Sequence, residues 1–147
     1  MTDRNAKSSI EIRGLEYDWL GTDSDGCVAL FSTAGAGYAP VAFLRDTDAH
    51  AVAIEAVLAL PSSAEARFSP CLPPGLTNTW RLVAERGLYA YDCDPNGGPY
   101  RLVAAPMAPT KSHALPFVVA SVAAEVRLAG RFDSLTVVSD ELLIRTP

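Results

Sequence analysis

Apolar residues recur at two different spacings along this chain, and the change from one spacing to the other marks its elements. Tyr17-Asp18-Trp19-Leu20 and Cys27-Val28-Ala29-Leu30-Phe31-Ser32 flank a short Thr22-Asp23-Ser24-Asp25-Gly26 link. That pattern predicts a β-hairpin, because Asp and Gly supply the geometry that reverses a strand. In the second run Val28 and Leu30 fall on one side and Cys27, Ala29 and Phe31 on the other, so the strand should be buried on both faces. A second hairpin is expected from Leu88–Cys93 and Tyr100–Ala104, reversed around Asn96-Gly97. Asp46-Thr47-Asp48 opens a helix that runs to about Leu60, where Pro61 closes it. Thr77 or Asn78 caps another helix, ended by Gly87, with Trp80, Val83 and Ala84 on its inner stripe. A short helix follows from Leu115 to about Val122, then strands near 124–128, 135–138 and 142–144.

The remaining segments read as connections. Residues 1–9 are polar and expected to fray, and the Ile10-Glu11-Ile12 alternation predicts the start of an edge strand. Ala34–Pro40 and Pro61–Gly75 read as loops from their glycines and prolines. Together these elements predict an α+β fold, a mainly antiparallel sheet of five or six strands built from hairpins, with two main helices packed on it. At 147 residues the chain matches one domain, 1–147.

Composition narrows the function classes. An apolar fraction of 49% with 20% charged residues is ordinary for a globular protein, and no run approaches the length of a membrane span. The N-terminus lacks the apolar core of a secretory signal, so the expected address is the cytoplasm. Three cysteines, Cys27, Cys71 and Cys93, form neither a C-x-x-C pair nor a disulfide framework, and His50 and His113 have no ligand spacing with them. The net charge of −5 is unevenly placed: residues 1–60 carry nine acids against four bases, and the remainder balances. An acidic half repels nucleic acid and suits a basic partner.

Motifs with chemical meaning are few. Gly35-x-Gly37 after a strand lacks the third glycine and the Lys-Ser/Thr of a phosphate loop. Asp92-x-Asp94-x-Asn96-Gly97 copies the first half of a calcium loop, but the twelfth position is Val103 where a bidentate Glu is needed. No Ser-His-Asp order, G-x-S-x-G elbow or metal motif is present, so no catalytic residue, cofactor or metal ligand is expected. Asp23 with Asp25 and Asp92 with Asp94 are carboxylate pairs on turns, where Asp is common for backbone reasons.

Trp19-Leu20-Gly21-x-Asp23-x-x-Gly26-x-Val28-Ala29-x-Phe31-x-Thr33-Ala34-Gly35, followed by Pro40, resembles the opening of a group of small bacterial immunity proteins. Glu85-Arg86-Gly87-Leu88-Tyr89-Ala90-Tyr91-Asp92, with Gly98-Pro99-Tyr100 and Ala105-Pro106 after it, looks like that group's later signature; Leu115-Pro116 and Val126–Phe132 match more loosely. Such proteins are partners of secreted antibacterial toxins of the type VI effector–immunity kind. The resemblance implies a cytoplasmic inhibitor, not an enzyme, whose partner is a cognate toxin domain. The acidic first half points to a basic nuclease as that toxin, covered at its active-site surface. Contact residues are expected at the turn tips and the helix entry: Asp23, Asp25, Asp46, Asp48, Tyr91, Asp92 and Asp94. The alternative is a small hydrolase or other enzyme whose site assembles only in the fold. A concave pocket with convergent titratable groups would favour that alternative, and a flat acidic patch the inhibitor.

Overall fold

The computed structural model describes residues 6–63, 65–68, 78–94 and 96–144. Its centre is the first hairpin, β1 (Asp18–Thr22) against β2 (Val28–Ser32), in the register Asp18↔Ser32 through Thr22↔Val28. The second hairpin, β4 (Tyr89–Cys93) with β5 (Tyr100–Pro106), also forms as the turn residues predict. The two hairpins join through a parallel pairing of β2 with β4, from Ala29↔Tyr89 to Ser32↔Asp92. Short strands complete the sheet: β3 (Ala66–Phe68), β6 (Arg127–Leu128), β7 (Val137–Val138) and β8 (Leu143–Ile144). The order is β3-β5-β4-β2-β1-β6-β8, with β7 also paired to β5.

The α+β class therefore holds, but the sheet has eight strands among the described residues and is mixed, not mainly antiparallel with five or six. β2 and β4 are buried along nearly their whole length, as expected of parallel strands covered on both faces. Hairpin signals reveal only pairings between sequence neighbours. The β2–β4 pairing crosses over through the intervening helices and leaves no turn motif.

Five α-helices are present among the described residues. α3 (Thr47–Leu58) and α4 (Thr79–Ala84) match the two predicted main helices; Asp46 and Asn78 cap them, each side chain accepting a backbone N–H of the first turn. α5 (Phe117–Ala124) starts after Pro116. α1 (Ser9–Ile12) replaces the expected edge strand at Ile10–Ile12. Ser8 and Glu11 form a reciprocal capping box there, which also orders residues expected to fray. α2 (Val41–Arg45) begins straight after Pro40. β3 lies inside the segment expected to be a loop, and residues 69–77 of that segment, with Cys71, are outside the described residues.

Two apolar layers cover the two faces of the sheet. Leu20, Val28, Leu30, Leu88, Ala90 and Ala104 meet α3, α4 and α5 on one face. On the other, Trp19, Phe31 and Tyr91 form an aromatic row across β1, β2 and β4. Ring centroids lie 4.0 Å apart for Trp19–Phe31 and 5.1 Å apart for Phe31–Tyr91, with nearly parallel planes. Phe43, Tyr100 and Phe132 close over that row.

Candidate functional site

Side chains on a strand alternate between faces, so the residue beside each member of the aromatic row points to the helix side. Those residues are Asp18, Ser32 and Asp92, in register with one another across β1, β2 and β4. They lie at the strand ends, just beyond the apolar layer. The N-terminal turn of α4 and Glu16 complete a cavity of about 360 Å3 lined also by Asn78, Thr79 and Trp80. Because β2 and β4 run parallel, this is the carboxyl end of a parallel pair, where open sheets with helices present their binding crevices.

Hydrogen bonds fix the back wall. The Trp80 indole N–H donates to Ser32 Oγ at 3.0 Å, and the Ser32 hydroxyl donates to Asp18 Oδ1 at 2.7 Å. Among the described residues none of Glu16, Asp18 and Asp92 forms an ion pair. Burial raises the Asp18 pKa above the ordinary carboxylate value, with Glu16 adding repulsion and the Ser32 hydrogen bond opposing it. Burial is also the main cause for Asp92, whose pKa rises to about 6, with further repulsion from Glu16, Asp18 and Asp94. The pocket therefore holds negative charge that no described cation pairs with.

The seven residues expected from sequence to contact a partner fall into three different situations. Asp23 is 7% exposed and serves the fold: Oδ1 accepts the N–H groups of Asp25 and Cys27, and Oδ2 accepts that of Phe132. Tyr91 is fully buried and donates its hydroxyl to Leu135 O at 2.7 Å. Neither side chain is presented at the surface. Asp25 is exposed but paired with Lys111 and, at 3.6 Å, with Arg131. Lys111 holds its carboxyl below the usual carboxylate range.

Asp46 is half-buried as the α3 cap, and Asp48 is exposed on the first turn of α3. Asp46 borders a separate groove of about 960 Å3 beside α2, β6 and β8, whose charged lining alternates in sign through Arg45, Glu125, Arg127 and Asp140. Asp92 alone of the seven lines the acidic pocket. Asp94 is exposed on the adjacent turn, where it accepts Asn96 N–H, and adds its field to Asp92. Among the described residues no group of three or more His, Cys, Asp or Glu has an arrangement that could hold a metal ion.

Glu16, Asp18, Ser32 and Trp80 are the pocket residues that sequence reasoning missed. Their signal is the aromatic–polar pairing at the strand ends, Asp18-Trp19, Phe31-Ser32 and Tyr91-Asp92. Trp80, expected as a core anchor, packs half-buried against the helix-side core and also forms part of the pocket wall. The arrangement suits recognition of a cationic group: carboxylates and an indole line the same cavity, which opens to solvent. No protein-family model matches the chain, and comparison with curated proteins and with solved structures likewise found no match.

Proposed function

We propose that this chain is an immunity protein that binds a cognate secreted antibacterial toxin in the cytoplasm and neutralises it. The toxin is a basic enzyme, best read as a nuclease, and the chain covers its active-site surface. The observation that carries this reading is the cluster of Glu16, Asp18 and Asp92 in one pocket, unpaired with any described cation and open beside Trp80. A lysine or arginine from the partner supplies the missing charge, and arginine fits best because its planar head can meet a carboxylate and stack on an indole together. The overall charge of −5 adds steering toward a basic surface. Asp94, on the adjacent turn, is the rim of this interface; Asp46 and Asp48 at the α3 entry are a second point of contact.

The test pairs this chain with the protein encoded beside it. Pull-down of that protein, loss of its nuclease activity on mixing, and survival of cells that express both are the expected results. A bound partner without activity on nucleic acid removes the nuclease part, and no binding removes the proposal.

One observation favours a second reading, a small hydrolase. The site is concave, and two of its carboxylates have raised pKa values, as a general acid requires. Against catalysis, Ser32 gives its proton to Asp18 and accepts from Trp80, and no histidine lines the pocket to activate it. Turnover of a small ester or phosphoester by the purified chain, abolished by Asp92→Asn, would establish the enzyme instead.

A further inference from the structure

His50 has a role in the fold that the acidic pocket does not use. It lies on the inner face of α3, 1% exposed, and its Nδ1 accepts the backbone N–H of Leu20 in β1 at 3.0 Å. That bond fixes the tautomer, leaving the proton on Nε2. Nε2 has no hydrogen-bond partner among the described residues. Neither has Thr47 Oγ1, three residues earlier on the same helix face. The Phe43 ring of α2 stands edge-to-face against the imidazole, with centroids 5.0 Å apart. The ring is thus a neutral acceptor enclosed by α2, α3 and β1.

We propose that His50 is an acid-sensitive latch: when it takes a second proton it loses the Leu20 N–H, and α2 and α3 part from β1 while the rest of the sheet stays paired. In an imidazolium the new Nδ1 proton would face the Leu20 N–H, Nε2 has no partner among the described residues, and the ring is shut off from solvent, so the closed form disfavours it. Burial accordingly depresses the His50 pKa to about 4, against an attraction from Asp46 that acts the other way. Asp18 on β1, Arg45 on α2, Asp48 and Glu55 on α3 and Glu125 after α5 are not among the causes of that shift. The sign follows from linkage. The opened state binds a proton near the ordinary histidine value and the closed state does not, so closure is fully favoured above about pH 6.5 and weakens as pH falls toward 4. At pH 5 the open population should be about twentyfold larger than at pH 7. Elements of one domain open with different free energies, so α2 and α3 can part from β1 without global unfolding.

Hydrogen exchange of the full chain, corrected for intrinsic rates and followed from pH 7.5 to 4.5, tests this directly. Expected is a selective loss of protection at Leu20 and at Ala53, Ile54 and Val57, with β4 and β5 amides still protected. The His50→Gln variant, whose amide oxygen can accept from Leu20 without titrating, should flatten that dependence. NMR titration of the wild-type ring gives an independent readout: the imidazole should stay neutral in the closed form until near pH 4. Protection at α3 that does not change with pH, or falls only together with β4 and β5, overturns the latch. So does a ring that titrates near 6.5 with α3 still protected.

Discussion

Asp23 and Asp92 are both aspartates at the edge of a β-strand, yet they do opposite things. Asp23 satisfies three backbone N–H groups from a buried position, so Asp23→Ala leaves them unpaired. Chemical denaturation should show a loss of about 3 kcal/mol or more, given the weight of hydrogen bonds to a charged group. Asp92 carries a pKa raised to about 6 by burial and like charge. Between the unfolded value near 4 and 6 the folded chain binds more protons, so this group favours folding at low pH and loses that contribution as pH rises through 6. Asp92→Asn should therefore raise stability at pH 7 and remove this part of the pH dependence. A gain in stability on deleting a charge is what a binding site held at a cost predicts. Sequence alone does not separate the two residues, because both sit next to turns; burial and the hydrogen-bond partners separate them.

At the scale of elements, local chemistry was readable and distant pairing was not. Asp46 and Asn78 cap α3 and α4 as expected, whereas α5 starts after Pro116, not at Leu115, and α4 ends at Ala84, three residues before Gly87. Gly87 has φ +97°, and a Cβ there would collide with Thr110 Oγ1. Gly87→Ala should cost about 2–4 kcal/mol in thermal or chemical unfolding, the sum of left-handed strain and overpacking. The Ser8-x-x-Glu11 box shows how a short motif outweighs alternation. Ile10 and Ile12 look like a strand, but the reciprocal hydrogen bonds set a helical turn. The acidic row depends on the β2–β4 crossover, which brings Ser32 beside Asp92 across sixty residues of chain. Dipeptides such as Phe31-Ser32 and Tyr91-Asp92 become a site only once that parallel register is known. Hence the candidate site was legible in one residue, Asp92, while its neighbours emerged with the fold.

For the whole molecule, the charge balance matters less than where charge is left unpaired. Asp25 is answered by Lys111 and Arg131, so the acidic first hairpin is partly neutralised by the second half of the chain. Glu16, Asp18 and Asp92 are not answered by any described cation, and a partner cation placed among them gains charge-assisted contacts in a half-buried setting. Binding should then release protons from Asp92 and weaken as pH falls below 6, which calorimetry in buffers of different ionisation enthalpy would detect. The decisive measurement is the affinity for the protein encoded beside this chain, compared between the wild type and the variants Asp18→Lys, Asp92→Lys and Asp25→Lys. Reversal at Asp18 or Asp92 should cost about 2–5 kcal/mol, and reversal at the already paired Asp25 far less. Equal affinity for the wild type and both pocket variants, with each variant folded, would contradict the proposed site.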